Sequence, residues 1–527
     1  MNDTFVTLAG SATLAVALAA FCRQRGWSMA MPLIFSGIVV GVLPIGPSAP
    51  PDPEVILVAV LAPLVFGEAL GSSYLDLRRV SRPVLALAIG LVVATTVVIG
   101  AVGALLIAMP IAMAMALGAV LAPTDAVAVS AVARRAGLPR RLISILEGES
   151  LVNDGTGLTA LKVALVAAAA GSVTLVEVTT VFVVAVVAGV LVGAAGGWLL
   201  SWVLRRSKDL VASNALVLVA PFLLYVVAEE LQGSGILAVV VAALFIAHSQ
   251  HANAGQAGRV QSATVWRHIT FVLQALAFFL VGLEIPDVLH RLDSKEIGQV
   301  VILAPVVVVA LIATRAAFVF VMVLLARTSS DAGPDGTLLK GGAIVAWAGA
   351  RGPVSGLAAF SIPLVFAGGE RVPFRDVILA TTFCVILITL LLSLTLAPLA
   401  RSLKVHTDDD DATLRRVDAM LARAALGRLS DVETQCEDDG RPLPVEVSER
   451  LRADTEHRLQ VAAHPETVTA TQEIEVAQMI STARAMVRAE QEELLRLRDD
   501  EGLPDAIVRP MLRALDLRDQ ALRTRGA

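Results

Sequence analysis

About thirteen runs rich in Ala, Val, Leu and Ile succeed one another between residues 4 and 400, separated by short loops. They lie near 4–21, 29–46, 54–74, 83–108, 111–133, 143–170, 174–204, 212–231, 235–249, 267–284, 297–326, 338–362 and 374–400. A hydrocarbon layer of about 30 Å is crossed by about 20 apolar residues in helical form. The pattern therefore predicts an all-α polytopic membrane protein of about 13 transmembrane helices. Composition agrees: 56% of the 527 residues are hydrophobic and only 17% charged, which does not suit a soluble enzyme. Roughly half of the acidic residues lie beyond Lys404, so the body is more apolar than the average.

Charge between the runs predicts an orientation. Arg23 and Arg25, then Arg78, Arg79 and Arg82, then Arg134, Arg135, Arg140 and Arg141 follow the first, third and fifth runs. Arg205, Arg206 and Lys208, then Arg259 and Arg267, then Arg327 and Lys340, then Arg401 and Lys404 follow the seventh to thirteenth odd-numbered runs. Apart from Arg291, Lys295, Arg371 and Arg375, the alternate loops are nearly free of Lys and Arg. The excess of positive charge on cytoplasmic loops then places the N-terminus outside and the tail inside a cell (plasma or inner) membrane. No cleavable leader is visible, so insertion is expected to start from the first span. Trp27, Trp198, Trp202 and Trp266 are expected as interfacial anchors.

The division is expected at 1–403, a membrane domain, and 404–527, a soluble cytoplasmic tail. Thr407–Asp411 reads as an acidic linker, and segments near 412–429, 446–462, 468–499 and 505–523 as amphipathic helices. The tail reads as a solvated appendage or a regulatory domain with an unknown partner. No cofactor motif appears, Cys22, Cys384 and Cys436 have no zinc or disulfide spacing, and a net charge of −5 gives nucleic acid no purchase.

Ionisable residues at bilayer depth point to function. Glu68 lies in "PLVFGEALGSSY", Asp125 in "LAPTDAVAV", Glu149 and Asp154 in "GESLVNDGTG", Arg315 in "LIATRAAFVF" and Arg351 in "WAGARGPVSG". Pro123 disfavours helix just before it, so the fifth span should break near Ala122–Thr124. Asp125 would then sit at the positive start of a second half-helix. Gly349, Gly352 and Pro353 predict a matching break in the twelfth span, where Arg351 could neutralise carbonyl ends. Two interrupted spans in corresponding places of two halves are the sequence pointer to inverted repeats and a midplane ion site.

Ser150 and Asp154 are four apart and share a helix face; Glu149 and Asn153 share the adjacent one. Asp154, Ser150 and a freed carbonyl near Thr124 offer only oxygens, which suit a hard cation such as Na⁺ or Li⁺. Burial favours the neutral carboxyl, so Asp154 would hold a proton or a cation, not both. Glu149 would be locked by a permanently charged arginine, with Arg315 the best candidate. Lys162, about 12 Å along the helix from Asp154, reads as a snorkelling side chain outside the site. His248 and His251, three apart, read as a polar loop edge.

"GESLVNDGTGL", "APTDAVAV" and "WAGARGPVSGLA" together resemble the monovalent cation/proton antiporters. The similar branch holds the bacterial sodium/proton antiporters of the Asn-Asp type and the animal sodium/hydrogen exchangers. The resemblance covers roughly residues 1–403. It implies that Asp154 carries ion and proton, that Thr124 and Asp125 lie at a broken crossing helix, that Ser150 ligates and that Glu68 lines the cavity. It implies a Glu149–Arg315 pair and assigns Arg351 and Gly352 to the family's Arg-Gly pair. Asn153, where an electrogenic branch has a second Asp, implies one-for-one electroneutral exchange. Ala126 departs from the family's proline. The resemblance also implies a homodimer, with interface helices (about 4–74 and 174–284) and core helices (about 83–170 and 297–400) moving like an elevator. No enzyme activity and no resident cofactor are expected. Potassium/proton exchange, a cation channel and a transport-inactive membrane sensor stand as alternatives.

Overall fold

The computed structural model describes residues 2–43, 57–125, 137–171, 174–207, 209–253, 256–327, 335–366, 369–403, 410–438, 443–463, 470–501 and 505–525. The chain forms two compact units, Met1–Asp408 and Asp409–Ala527. Among the described residues the fold is all-helical, apart from an isolated antiparallel bridge between Val365 and Arg371.

The first unit opens with α1 (Asn2–Gln24) and α2 (Ala30–Val42). In α3, a π-helical turn (Leu57–Leu61) runs into Ala62–Gly71. The short α4 (Tyr74–Arg79) follows, then α5 (Ser81–Ile107), which contains a second π-helical stretch at Ala86–Leu91. Next are α6 (Ile111–Leu121), α7 (Arg140–Ala170), α8 (Leu175–Arg206), α9 (Leu210–Glu230) and α10 (Gly235–Asn253). Two long helices, α11 (Gln256–Arg291) and α12 (Ser294–Arg327), precede α13 (Asp335–Trp347) and α14 (Pro353–Phe360). The unit closes with α15 (Arg375–Ser393) and α16 (Leu396–Ser402). Seven of these helices are long and apolar enough to cross a membrane, and several shorter apolar ones stand among them.

Large apolar side chains face outward: Leu105, Val176, Leu191, Val309 and Leu325 are all exposed. Charges face inward: Glu149, Asp154, Arg315 and Arg351 are 1–2% exposed. That inversion fits hydrocarbon as the surrounding solvent, where apolar surface costs nothing and ions must be sheltered.

Helix α7 threads all three apolar clusters of the unit. Its Leu161 and Ala164 pack into the cluster built mainly on α6, α11, α12 and α15. Leu151 enters that of α3, α9 and α10, and Ile145 and Leu146 join Val84, Leu91 and Val345. The polar stretch Gly148–Gly157 is thereby held at the centre of the unit.

The structure departs from the sequence reading in places. The arginine-bearing stretch after the third run contains a capped helix, α4, whose Ser73 hydroxyl accepts from Asp76 N at 3.3 Å. Trp266 is no interfacial anchor: it is buried, its ring 5.0 Å from that of Phe66. Lys162 does not extend alone to the interface; its Nζ donates to Glu229 at 2.7 Å on the neighbouring α9. His248 stacks on Tyr74 with ring centroids 4.6 Å apart. The second half of the fifth run, with Ala126, Arg134 and Arg135, lies outside the described residues, as do Lys208, Lys404 and most of the acidic linker.

In the second unit, α17 (Asp410–Asp438) packs on α18 (Val445–Ala463), and α19 (Ala470–Glu501) on α20 (Asp505–Arg525). Arg484–Asp519 and Gln491–Asp516 contacts run antiparallel along the latter pair. Hydrogen bonds from Ser448 and Arg452 hold the Glu433 carboxyl below its usual range.

Candidate functional site

Pro123 and Gly352 determine the local backbone here. Helix α6 stops at Leu121, Ala122 N still donates to Ala119 O at 3.4 Å, and Pro123–Asp125 run on as irregular chain. Helix α13 stops at Trp347, and α14 starts only at Pro353, a residue suited to a first helical turn because it lacks an N–H. The two irregular stretches meet: Asp125 N donates to Ala350 O at 2.9 Å. Such crossing is possible because Gly352 has no side chain, since a Cβ there would lie 2.5 Å from Asp125 Oδ2. Gly157 plays the same part on α7, where a Cβ would lie 2.5 Å from Pro123 Cγ.

Thr124 ties the first break to α7. Its carbonyl accepts from Ser150 Oγ at 2.6 Å. Its hydroxyl accepts from Asn153 Nδ2 at 2.9 Å and donates to Glu149 Oε1 at 3.2 Å. Glu149 is gripped by both terminal nitrogens of Arg315, with the Nη2–Oε2 bond at 2.8 Å. Arg315 Nε in turn donates to Val345 O at 2.9 Å, on α13. A single buried chain thus runs from α13 through Arg315, Glu149 and Thr124 to Asn153. Fork-to-fork pairing fixes orientation as well as charge, so both breaks are anchored to one rigid network.

Asp154 stands apart from that network. It is 2% exposed, and its Oδ1 has no hydrogen-bond partner among the described residues. The nearby bases are engaged elsewhere, Arg315 with Glu149 and Lys162 with Glu229. Asp154 lines a small cavity together with Glu68, Thr124, Asp125, Ser150, Gln274 and the start of α14. The space, about 10 Å³, is roughly that of one water-sized sphere. No three of His, Cys, Asp and Glu gather as a metal-binding set among the described residues. A cation here would meet the Asp154 carboxylate, with those of Glu68 and Asp125 on the same cavity, and hydroxyl and carbonyl oxygens.

Six of the residues expected from the sequence are therefore near one another as anticipated: Glu68, Thr124, Asp125, Ser150 and Asp154 on the cavity, with Glu149 behind Thr124. Asn153 does not line the cavity, because it lies on the Glu149 face of α7 and spends its amide on Thr124. Arg351 is not among the residues lining the Asp154 cavity: its backbone N donates to Thr389 Oγ1 at 3.1 Å, and it lines a different cavity. Gln274 was not anticipated. Its Nε2 donates to Glu68 Oε1 at 3.1 Å. An amide inside the apolar "FVLQALAFF" run was the available signal.

A family model described as "Sodium/hydrogen exchanger, transmembrane" matches residues 10–402. A Bacillus pumilus protein named "Sodium, potassium, lithium and rubidium/H(+) antiporter" is 32% identical over 413 residues, covering 75% of this chain. The match spans only 61% of that longer relative. An uncharacterised Na(+)/H(+) exchanger of Mycobacterium tuberculosis is 29% identical over 93% of this chain and 91% of its own length. Among solved structures, the sodium proton antiporter MjNhaP1 of Methanocaldococcus jannaschii at pH 8 superposes with a TM-score of 0.64. It is 20% identical over 76% of this chain and 98% of its own, a likeness of fold.

Proposed function

Since the chain belongs to the sodium/hydrogen exchanger family, we propose that it is a secondary active antiporter exchanging Na⁺ or Li⁺ for H⁺ at Asp154. The observation that carries this reading is a buried carboxylate with an oxygen unbonded among the described residues, in an oxygen-lined cavity beside two broken helices, while Arg315 and Lys162 are paired with other acids. Such a group is stable neutral with a proton or neutralised by a cation, and unstable with neither. Competition between the two couples their movements.

Ser150, Thr124 and Asp125 supply further oxygens around Asp154, and Glu68 closes the cavity from α3. Asn153 is a positioning residue: by donating to the Thr124 hydroxyl it turns that hydroxyl toward Glu149. Asn153 brings no further carboxylate to this stretch of α7, and one-for-one electroneutral exchange in this reading requires the Glu68 and Asp125 carboxyls on the same cavity to keep their charge state through the cycle. Access alternates in this reading by an elevator movement of the core helices (about 83–170 and 297–400) against interface helices (about 4–74 and 174–284) in a homodimer. The N-terminus lies outside a cell membrane and the helical tail, 404–527, in the cytoplasm, where it serves a regulatory partner.

A wider selectivity, including K⁺, is favoured by the name of the Bacillus pumilus relative, which cites sodium, potassium, lithium and rubidium. One experiment tests exchange and selectivity together. In reconstituted vesicles with an internal pH dye, Na⁺ or Li⁺ added outside should move protons through the wild type, and choline should not. Asp154→Asn should insert normally and give no cation-dependent signal. Wild-type activity in that variant would remove Asp154 as carrier. A signal that changes sign or rate with imposed voltage would remove electroneutrality.

A further inference from the structure

On the far side of the helix crossing lies a second cavity, of about 30 Å³, and it shares no lining residue with the one at Asp154. Two guanidinium groups line it, Arg315 and Arg351, together with Leu311 and Ile312 of α12, Ala346 and Trp347 of α13, and Thr389 and Leu392 of α15. The two arginines are equally buried, each 2% exposed, yet unequally compensated. Arg315 is held by both oxygens of Glu149. Arg351 Nε and Nη1 have no hydrogen-bond partner among the described residues, and no carboxylate pairs with it there.

The ordinary remedies are closed to this side chain. A guanidinium does not shed its proton in a protein. A buried unpaired charge is strongly destabilising, and buried charges are accordingly paired. Thr389 Oγ1 already accepts from Arg351 N and donates to Ile386 O at 3.2 Å. Trp347 Nε1 already donates to Thr395 Oγ1 at 2.8 Å. Glu149 is the single acid paired with Arg315 here, and two guanidinium groups against one carboxylate leave one positive charge uncompensated among the described residues. The space is that of about two waters, enough for one halide-sized ion.

We propose that this cavity binds a small monovalent anion, of which chloride is the obvious candidate, against Arg351. The anion stabilises the break between α13 and α14 by supplying the counter-charge that the chain does not.

The test is the melting midpoint of the purified full-length protein in detergent, with chloride replacing gluconate at constant Na⁺ and ionic strength. Stabilisation by a ligand of the folded state rises with the logarithm of its concentration above the dissociation constant. The wild type should gain about 3 °C or more, a size visible for a chain of this length, with bromide acting like chloride. Arg351→Gln should melt at the same temperature in chloride and gluconate. Ala346→Leu fills the cavity without touching a charge and should also lose the chloride response; it carries the comparison if Arg351→Gln is not recovered folded. Equal midpoints in chloride and gluconate for the wild type would mean that water alone fills the cavity and would overturn the proposal. A chloride shift of the same size in wild type and in the variants recovered would be a bulk salt effect and would overturn it too.

Discussion

Two acids five residues apart on α7 have opposite fates. Glu149 is neutralised by Arg315 and bonded to Thr124, whereas Asp154 lines a cavity with its Oδ1 unpartnered among the described residues. The difference comes from helical geometry, since residues five apart sit on different faces and meet different neighbours. Replacing Glu149 by Gln should leave Arg315 buried without a counter-charge and lower stability by about 3–5 kcal/mol. A melting curve in detergent would register this as a large fall in midpoint, and an unchanged curve would mean the pair is dispensable. Lys162–Glu229 is a different kind of pair. Its side chains are 37% and 35% exposed, so it is far less enclosed than Glu149–Arg315. Lys162→Met should therefore lower the midpoint less than Glu149→Gln in the same assay.

At the scale of the helix, the crossing depends on the absence of two side chains. Gly352→Val and Gly157→Val would drive a side chain into Asp125 and Pro123 respectively, both at 2.5 Å already for a Cβ alone. Each should sharply reduce folded yield, measured by size-exclusion profile, whereas Gly10→Ala, with nothing within 4 Å, should not. Much of this architecture was legible. Apolar run length located the helices, Pro123 and the Gly349–Pro353 stretch located the breaks, and charge at bilayer depth located Glu149, Asp154 and Arg315. What was not legible depended on partners distant in sequence. Gln274 meets Glu68 from 206 residues away. Trp266 was drawn inward by Phe66, which no local pattern specifies. Arg351 was expected to serve the carbonyl ends, but a span break does not say which groups its side chain meets, and here its Nε and Nη1 have no hydrogen-bond partner among the described residues.

For the whole molecule, the family match ends at residue 402, close to the end of the first compact unit at Asp408. The chain beyond is rich in Arg, Asp and Glu and has its own internal pairs, Arg484–Asp519 and Arg452–Glu433 among them. A chain ending at residue 403 should therefore retain exchange in vesicles; loss of exchange with normal insertion would make the tail part of the machinery. The central claim is that a proton and a metal ion compete for Asp154. The most direct test is the Na⁺ concentration giving half-maximal exchange, measured in reconstituted vesicles across a series of pH values. Competition predicts that on the acid side this concentration rises by up to about tenfold per pH unit fall, with the maximal rate reached at saturating Na⁺, because the ligand must lose its proton to bind the ion. A half-maximal concentration that stays constant as protons increase would contradict it.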